Sequence, residues 1–553
     1  MSAKYVFITG GVISGLGKGV STASLSLLLK SLGYRVSAIK VDMYLNIDAG
    51  TINPTEHGEV FVTEDGMETD QDLGNYERFT NQNFLQHNYI TMGQIYYDVI
   101  TRERQLGYGG QDVEGHIHIP KEIVRRLRKT AKKDKAEVLF IEVGGTVGEY
   151  QNVMFLETIR RLKQEQPQNI FLMHLTYLPK PRFLGEIKSK PAQTSIYELY
   201  KIGLQPDFVI CRSEEAIDNR KKRNIAFNTG VSENSIISVP DVESIYEIPQ
   251  VLKKQGVDIK LLEIMGLKPR KRLFKEWEEL NTKIKGSKKT VKIAILGKYF
   301  NFGKSVLADA YICVIEAIKH AAWKSGKKPI IQWFDVERFE DKNKIDKIKK
   351  DLSEFNGIIV PQGWGIRGVE GKIKAVNFAR EAKIPYLGLC FGMQMAAIEF
   401  ARNVLGIKDA NSEEVKPKSK NCVIHTMKHQ RKLIKNSKYG GTIRLGAWPC
   451  KLNTKSTLYK AYKKHSPSRL KKNIVMERHR HRYEFNNRYK KGFEKAGFII
   501  SGTSPDGKLV EAIELPKNVH PFFVGTQFHP EYKSRPLDPH PIFVEFVEQS
   551  ANN

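Results

Sequence analysis

A glycine-rich stretch near the start of the chain carries residues suited to phosphate chemistry. ITGGVISGLGKGVSTASL (8–25) has the glycines and lysine of a phosphate-binding loop, in which backbone N–H groups approach phosphate oxygens. The spacing is unusual, because five residues separate Gly11 from Gly17 and Lys18 is followed by Gly19. The common loop has Ser or Thr at that last position, where the hydroxyl helps to hold Mg²⁺. A plain strand-to-helix turn is the alternative, but the GKG sequence favours phosphate binding.

A metal at this loop would need oxygen ligands from elsewhere, since Gly19 offers none. Glu142 stands near the end of the apolar run EVLFIEVGG, at the sheet edge where open α/β folds hold ligands. The acidic tract EDGMETDQDLGNYERF (64–79) adds Asp70 and Asp72. Hard carboxylate oxygens suit Mg²⁺. Taken alone, the tract would more often be a solvated loop.

A cysteine in the second half of the chain is set for nucleophilic attack. IPYLGLCFGMQ (384–394) is an apolar run, then Gly-x-Cys-x-Gly, then a helical pattern, which is a nucleophile elbow with Cys in the Ser position. A helix N-terminus favours the reactive thiolate of Cys390. QFHPEY supplies His529 as a base and Glu531 to orient it. PQGWG (361–365) offers backbone N–H groups to an oxyanion. Without these partners, Cys390 would be interpreted as an unreactive buried side chain of the core.

Two histidines in ERHRHRYE (477–484) form an H-x-H pattern. The sequence shows no cysteine or carboxylate at metal-ligand spacing from them. We therefore interpret this pattern as anion-binding or structural and not as a zinc site.

Short apolar runs alternate with helical patterns along the chain, as in βαβ units. The predicted strands are 4–10, 35–42, 137–145, 171–179, 207–213, 235–241, 291–299, 329–335, 357–363 and 384–390. The clearest predicted helices are 20–32, 119–133 and 152–163. Nearly continuous apolar runs indicate parallel strands buried on both faces. The predicted fold class is α/β, with two doubly wound, mostly parallel-sheet domains.

A charged segment interrupts the alternation and predicts the domain limits. Residues 268–290 contain one amphipathic helix among many charges. We expect domains at 1–268 and 291–553, joined by a linker at 269–290. The basic segment 453–473 is interpreted as a surface insertion or loop.

Composition bounds the function class. A chain of 553 residues is too long to fold around one hydrophobic core, so two or more domains are expected. Five scattered cysteines without a CxxC pair indicate a reducing compartment, and we expect a cytoplasmic protein with no signal peptide and no membrane span. The net charge of +28 fits nucleic acid, a polyphosphate substrate or a bland basic surface. Without regularly interleaved aromatic residues, the bland surface is favoured over nucleic-acid binding.

The residues described above resemble the CTP synthase family over essentially the whole chain. The matching blocks are VFITGGVISGLGKG, HGEVFVTEDGMETDQDLGNYERF, IEVGGTVGE, SIYEIP, LGLCFGMQ, GGTIRLGAW, ERHRHRYE and QFHPE. The resemblance implies a dethiobiotin-synthetase-like amidoligase domain with a P-loop-type fold, fused to a class I glutamine amidotransferase domain. It implies that ATP phosphorylates O4 of UTP and that ammonia from glutamine displaces the phosphate to give CTP.

The resemblance also assigns site residues by similarity. The implied catalytic residues are Cys390, His529 and Glu531 for glutamine, with Lys18 and Lys40 for phosphoryl transfer. The implied ATP site comprises Gly15, Leu16, Gly17, Lys18, Gly19, Val20, Asp72, Asp241 and Val242, and the implied Mg²⁺ ligands are Asp72 and Glu142. The implied UTP and CTP site comprises Ser14, Glu149, Tyr150, Gln151, Lys188, Ser189, Lys190, Pro191, Ala192, Gln193 and Asn224. The implied glutamine pocket comprises Gly363, Phe391, Gly392, Met393, Gln394, Glu414 and Arg482. The family further implies activation by GTP, feedback inhibition by CTP, and homotetramers that build the UTP site across subunits and can form filaments.

The chain departs from the family pattern at several implied nucleotide positions. GEYQN (148–152) stands where the family usually reads GDIES, KSKPAQ replaces KTKPTQ, Asn224 replaces a lysine, and VEGHIHIP (113–120) replaces VQVIPHIT. We hypothesise altered CTP feedback with catalysis retained. In the second domain Gln362 replaces a glycine of PGGFG, and it would be strained if that position required a positive φ. The stretch 415–438 is also unlike the family, which leaves GTP activation open.

Two other interpretations compete with this one. Amidases of the cobyric acid pathway join a related phosphate loop to a triad amidotransferase domain, but they lack HGEVFVTEDG and the K-x-K-P-x-Q lysine pair, which suit UTP. A filament-forming or nucleic-acid-binding protein without activity would also fit the basic surface. The complete set of Cys390, His529 and Glu531 argues against such a loss.

Overall fold

A computed structural model describes residues 3–299, 301–302, 305–306, 308–341, 345–436 and 440–553. The chain forms two compact units. The first unit comprises Met1–Ile47 and Asp72–Asn281, and the second comprises Asp48–Gln71 and Thr282–Asn553. The expected functional limits at 1–268, 269–290 and 291–553 stay a prediction.

The elements of the first part of the chain follow the predicted alternation. The strands are β1 (Lys4–Gly10), β2 (Val36–Asp42), β3 (Phe61–Val62), β4 (Glu68–Thr69), β5 (Tyr89–Thr91), β6 (Val138–Val143), β7 (Ile170–Tyr177), β8 (Phe208–Ser213) and β9 (Ile236–Pro240). The helices are α1 (Lys18–Ser31), α2 (Pro54–His57), α3 (Asp72–Thr80), α4 (Met92–Arg104), α5 (Gly115–Lys133), α6 (Val153–Glu165), α7 (Lys190–Lys201), α8 (Asn219–Thr229), α9 (Ile248–Lys254), α10 (Val257–Ile264) and α11 (Lys275–Gly286).

The first unit is built on a seven-stranded sheet in the order β5-β2-β6-β1-β7-β8-β9. Its strand pairings are parallel. The register pairs Glu142 with Ile8 of β1 and with Lys40 of β2. Carboxyl ends of neighbouring parallel strands meet at one edge of the sheet, so the loop after β1 and these two side chains share that edge.

The second part of the chain continues the series. The strands are β10 (Lys289–Gly297), β11 (Asn301–Phe302), β12 (Ser305–Val306), β13 (Lys327–Asp335), β14 (Gly357–Val360), β15 (Tyr386–Leu389), β16 (Asn411–Ser412), β17 (Cys422–Thr426), β18 (Arg444–Leu452), β19 (Ile474–His481), β20 (Tyr483–Phe485), β21 (Ile499–Thr503), β22 (Val510–Glu514) and β23 (Phe523–Thr526). The helices are α12 (Ile312–Lys324), α13 (Ile345–Leu352), α14 (Val369–Glu381), α15 (Phe391–Asn403), α16 (Lys428–Lys435), α17 (Thr457–His465), α18 (Lys490–Lys495) and α19 (Pro541–Ala551).

The second unit contains a nine-stranded sheet in the order β13-β10-β14-β15-β23-β22-β21-β18-β19. The pairings from β13 to β23 are parallel, and those from β23 to β19 are antiparallel. Alternate residues of β10 enter two different apolar clusters: Leu296 packs in one, and Ile293 and Ile295 pack in the other. Both faces of the sheet are therefore covered, as the apolar runs predicted.

A short segment from early in the sequence packs with the second unit. Residues 48–71, which contain α2, β3 and β4, belong to that unit although they precede it by more than two hundred residues. Glu64 pairs with Arg478 at 2.8 Å, and Glu68 pairs with Arg480 at 2.8 Å. Since both arginines are buried, these carboxylates compensate charges that would be costly alone.

The interpretation of 453–473 as a loop is wrong, because a helix lies within it. The segment contains α17, whose Leu458 and Tyr462 are buried in an apolar cluster of the second unit. The Tyr462 hydroxyl donates to buried Glu477 at 2.8 Å. The basic residues lie on the outward face of this helix. Because they dominate the composition of the segment, the apolar stripe on the inward face was overlooked.

In the part of the chain that the structure describes, no helix combines the length and the apolar character needed to cross a bilayer.

Candidate active sites

The predicted phosphate loop joins β1 to α1 in the first unit. Gly17 caps α1 with a φ of 85°, a left-handed conformation that suits glycine. Lys18 is the first residue of the helix, and its Nζ donates to the Gly145 carbonyl at 2.5 Å. Burial lowers the pKa of Lys18, while nearby Glu142 opposes that shift. The loop therefore places a partly desolvated ammonium group beside backbone donors, as phosphate binding requires.

Two carboxylates converge on a buried lysine beside this loop. Lys40 Nζ lies 2.5 Å from Asp72 Oδ2 and 3.5 Å from Glu142 Oε1. The Tyr76 hydroxyl donates to the other oxygen of Glu142. Burial and the Asp72 charge raise the pKa of Glu142 to about 8, against the opposing effect of Lys40. The structure thus brings the predicted metal ligands together with the predicted phosphoryl-transfer lysine.

Gly19 explains the unusual sequence of the loop. A Cβ atom on residue 19 would lie 1.8 Å from Asp72 Oδ1, so any side chain would displace that carboxylate. Asp72 therefore occupies the place where the common loop carries its Ser or Thr hydroxyl.

The acidic tract at 64–79 divides between the two units. Asp72 opens α3 in the first unit, whereas Asp70 belongs to the second unit and pairs with His57 at 3.1 Å. Asp72, one of the two aspartates that the sequence offered as metal ligands, pairs with Lys40 within the first unit. The predicted adenine neighbours Asp241 and Val242 follow β9, where Asp241 pairs with Arg212 at 2.9 Å.

The predicted UTP and CTP residues form two groups within one chain. In the first group, Asn224 Oδ1 accepts from Ser189 Oγ at 3.1 Å and from Gln193 Nε2 at 2.8 Å. Lys188 pairs with Glu186 beside them, and a cavity of 410 Å³ is lined by Ser189 and Asn224. Lys190, Pro191 and Ala192 form the start of α7.

The second group follows β1 and β6. Glu149 accepts from the Thr146 backbone N–H at 2.9 Å, from the Thr146 hydroxyl at 2.6 Å and from Gln151 Nε2 at 2.8 Å. These bonds lower the pKa of Glu149 in spite of the opposing effect of burial. Tyr150 is 97% exposed and Ser14 is also exposed, so this group presents an open surface.

The nucleophile elbow is present in the second unit. Cys390 lies between β15 and α15 with a φ of 49° and ψ of −97°, a strained conformation found at such turns. Its backbone N–H donates to the Thr526 carbonyl at 2.6 Å, and Gln527 Nε2 donates to its sulfur at 3.4 Å. A Cβ atom on Gly392 would lie 2.0 Å from the Val360 carbonyl oxygen. Glycine there lets the helix pack closely on β14.

The predicted base and its partner are in contact. His529 Nδ1 lies 2.7 Å from Glu531 Oε1, and both side chains are buried. Burial lowers the pKa of His529, but Glu531 and Cys390 raise it more, to about 10. Within the described residues Nε2 of His529 has no hydrogen-bond partner, so it is available to a reacting group. The arrangement favours the imidazolium form of His529.

A cavity of 390 Å³ in the second unit holds two predicted glutamine ligands, Glu414 and Arg482, with Trp364 and Arg480. Glu414 accepts from the Gly365 N–H at 2.6 Å, and burial raises its pKa. Of the remaining predicted pocket residues, Phe391, Gly392, Met393 and Gln394 form the first turn of α15. Gly363 lies in the loop between β14 and α14.

The predicted oxyanion loop, residues 361–365, is not strained at Gln362. Gln362 is not among the described non-glycine residues with a positive φ, which are Val12, Asn81, Leu106, Lys135, Lys383, Cys390 and Lys472. The condition on which strain at this position depended, a positive φ, is therefore not met. The Gln362 amide instead donates to Glu59 at 2.5 Å, and Lys372 Nζ donates to the Pro361 carbonyl at 2.9 Å on the same loop.

The histidines of ERHRHRYE form a buried pair. His479 Nδ1 lies 3.0 Å from His481 Nε2, and burial holds the pKa values of both well below the usual range. A carboxylate from a distant part of the sequence lies near the pair, because Glu511 Oε2 is 3.8 Å from His479 Nε2. Arg444 already pairs with Glu511 at 2.8 Å, which favours a structural role over cation binding.

Sequence reasoning missed several residues that shape the sites. Gln527 contacts the nucleophile, Tyr532 stacks on His529 with ring centroids 4.9 Å apart, and Tyr76 binds Glu142. Gln527 and Tyr532 are the first and last residues of the QFHPEY motif and could have been suspected from it. No local signal marks Glu59, whose partners lie hundreds of residues away.

The comparisons with known proteins match both halves of the chain. The family described as "CTP synthase N-terminus" matches residues 4–267, and the family described as "Glutamine amidotransferase class-I" matches residues 306–549. A curated CTP synthase of Carboxydothermus hydrogenoformans is 46% identical over 99% of this chain and 98% of its own length. One of Sulfolobus acidocaldarius is 48% identical over 99% of each. A solved structure titled "Trypanosoma brucei CTPS - glutaminase domain with bound acivicin" is 38% identical, covers 48% of this chain and 95% of that chain, and has a TM-score of 0.42.

The fold and sites define a glutamine-dependent ligase, with a phosphate-loop unit and a class I amidotransferase unit on one chain. The identity extends over nearly the full length of both curated relatives. The chain belongs to the CTP synthase family.

Proposed function

We propose that this enzyme converts UTP to CTP, using ATP to activate O4 of UTP and ammonia released from glutamine to displace the phosphate. The observation that carries the proposal is the presence of two complementary sites on one chain of this family. Lys40, Asp72 and Glu142 form the phosphoryl-transfer cluster, and Cys390 with His529–Glu531 forms the glutamine site.

The residues of the first unit fit a Mg²⁺ ion. One carboxylate oxygen of Asp72 and one of Glu142 lie close to the same atom, Lys40 Nζ. Because Gly19 has no side chain, the Asp72 carboxylate fits beside the loop. Asp72 and Glu142 would hold a Mg²⁺ ion, which would supply positive charge to offset that of the ATP phosphates. Lys18 and the backbone of 15–20 would hold the phosphates, and Lys40 would stabilise charge on the group in transfer. Asp241 and Val242 would border the adenine.

The uracil nucleotide would bind at the two groups of predicted residues. Lys188 and Lys190 suit a triphosphate, with Ser189, Gln193 and Asn224 as polar neighbours. The open surface at Ser14, Tyr150 and 149–151 supports completion of the site by a second copy of the chain. We propose a homo-oligomer, with a tetramer as the family form, and CTP as a competing feedback ligand. GTP as an activator belongs to the same proposal.

Glutamine hydrolysis would begin with attack of the Cys390 sulfur on the side-chain carboxamide carbon. The oxyanion would be held by backbone N–H groups at Gly363 and at the start of α15. The His529 imidazolium gives its proton to the leaving nitrogen, which departs as ammonia, and then removes a proton from the water that hydrolyses the thioester. Arg482 and Glu414 would pair with the α-carboxylate and the ammonium group of glutamine.

The proposed functional domains are 1–268 and 291–553, with 269–290 between them. Five free cysteines, all buried, support a reducing, cytoplasmic location. The basic surface would then serve anionic substrates in general rather than nucleic acid.

The test compares two nitrogen sources with two variants. Purified enzyme receives ATP, UTP and Mg²⁺ with either glutamine or ammonium chloride, and CTP formation is followed by pyrimidine absorbance. We expect Cys390→Ala to lose the glutamine reaction and keep the ammonia reaction. Cys422→Ala, a buried cysteine in the same unit, is the matched control and should keep both.

Either of two results would contradict the proposal. If no CTP formed with either nitrogen source, the proposed reaction would be wrong. The two alternatives, a different amidase and an inactive scaffold, would then be favoured. Retention of the glutamine reaction by Cys390→Ala would reject the proposed nucleophile.

A further inference from the structure

Glu59 is a buried carboxylate that the proposed mechanism does not use. Its side chain is 4% exposed. Oε1 accepts from Gln362 Nε2 at 2.5 Å, and Oε2 accepts from the Cys313 backbone N–H at 2.6 Å. Both oxygens are therefore engaged, one by the loop of Gly363 and one by the first turn of α12. All of these residues belong to the second unit.

The residue that follows Glu59 contacts the other side of the glutamine site. The Val60 carbonyl accepts from the Tyr532 hydroxyl at 3.0 Å. The Tyr532 ring stacks on His529, with centroids 4.9 Å apart and planes at 14°. Two adjacent residues of the 48–71 segment thus reach the proposed oxyanion loop and the proposed base.

We propose that Glu59 is a positioning residue for glutamine hydrolysis, which acts through Gln362 on the backbone of Gly363. This inference rests on the proposed roles of Cys390 and Gly363. The Glu59–Gln362 bond fixes the loop on one side, while Lys372 holds the neighbouring Pro361 carbonyl on the other. The oxyanion donor is then set before substrate arrives, which is the condition for electrostatic stabilisation of a transition state.

The surroundings of Glu59 make this link costly to break. Burial and the charge of Glu531 raise the pKa of Glu59 to about 7, and the Cys313 N–H and His529 oppose that shift. Among the described residues, Tyr311, Tyr532 and the Cys313 thiol also face it. A buried carboxylate that loses a donor pays its full desolvation cost, so the loop would shift to restore one. A glycine at 362, as in the usual family pattern, has no side chain with which to form the bond.

The test uses three variants. Gln362→Met keeps length and volume but removes the donor. Glu59→Gln keeps shape but removes the charge. The double variant Glu59→Gln with Gln362→Glu reverses the pair, because the amide at 59 then donates to the carboxylate at 362 and still accepts from Cys313 N–H.

The readouts separate positioning from general damage. For Gln362→Met we expect kcat for glutamine hydrolysis to fall roughly 10-fold with KM nearly unchanged, since a small misplacement of a transition-state donor acts on kcat. The reversed pair should recover most of that loss. Ammonia-dependent CTP formation should match wild type throughout and also reports folding.

The matched control is Glu514→Ala, which removes another buried carboxylate of the same unit that accepts two backbone N–H groups, from Thr457 and Leu458. It should keep kcat for glutamine. A wild-type kcat in Gln362→Met, an equal loss in Glu514→Ala, or no recovery in the reversed pair would overturn the inference. A Cys390→Ala enzyme that still uses glutamine would instead reject the proposed function.

Discussion

The carboxylate of Asp72 fills the space beside residue 19, with Oδ1 only 1.8 Å from where a Cβ atom of Gly19 would lie. The two residues are 53 positions apart, yet each explains the other. Glycine follows the loop lysine because an aspartate from α3 takes the place of the usual hydroxyl.

This relationship predicts the effect of a single methyl group. Gly19→Ala should displace Asp72 from Lys40 and lower kcat of ammonia-dependent CTP formation by about 100-fold. Glutamine hydrolysis measured alone should persist, since its residues belong to the other unit. The control is Gly286→Ala, where a Cβ atom meets nothing within 4 Å. Equal kcat in Gly19→Ala and wild type would contradict the assignment of Asp72.

Removing the charge of Glu531 should weaken the glutamine site. Glu531 and Cys390 hold the pKa of His529 at about 10, so the imidazolium persists at neutral pH. In Glu531→Gln the imidazolium loses its partner, and glutamine hydrolysis should fall by roughly 10²- to 10⁴-fold. Iodoacetamide alkylation of the Cys390 thiolate at pH 7 should slow in parallel. Alkylation at the wild-type rate would show that the thiolate does not depend on this pair.

Stability should depend on pH through Glu59. Its pKa rises from 4.5 in a solvated chain to about 7 in the folded protein, so the folded state holds a proton that the unfolded state has released. The associated stability is complete below pH 4.5 and is lost as the pH rises through 7, by about 3 kcal/mol in total. Glu59→Gln has no such proton. Its Tm relative to wild type should rise between pH 5 and pH 8, and a constant difference would contradict this account.

Nucleotide feedback should respond to residue 224. Asn224→Lys adds a cation beside Ser189, so we expect CTP to inhibit roughly fivefold more tightly at low ionic strength. Adding Gln151→Glu tests the second departure from the family pattern, with UTP turnover measured in each case. Asn228→Lys, one turn along α8, carries the same charge away from Ser189 and serves as control. Equal inhibition by CTP in both lysine variants would show that the added charge acts without regard to position, and would contradict a specific role for residue 224.

The helix within 453–473 should support the core. Tyr462→Phe removes the hydroxyl that donates to buried Glu477 and should cost about 1–3 kcal/mol of unfolding free energy. Tyr459→Phe, on the same helix but only half-buried, should cost less than about 0.5 kcal/mol. Thermal or urea unfolding of both variants measures the difference, and equal stabilities would count against a structural role for α17.

The parts of the fold that the sequence predicts are those with strong local patterns. The apolar runs at 4–10, 137–145 and 384–390 lie where strands form, because buried parallel strands need continuous apolar side chains. The nucleophile elbow at Cys390 is equally local. By contrast, α17 was hidden by its basic outward face, and the pairing of Glu59 with Gln362 joins positions 303 residues apart. Such contacts depend on tertiary packing that periodicity does not encode.

The assignment of 48–71 to the second unit limits how relatives can be recombined. A chimera that crosses over between Asn281 and Thr282 alone would combine Glu64 and Glu68 of one parent with Arg478 and Arg480 of the other. Exchanging the glutamine half of the enzyme intact requires two crossovers more, one on each side of those twenty-four residues. Substitutions in residues 48–71 are therefore constrained by residues far away in the sequence, in 282–553.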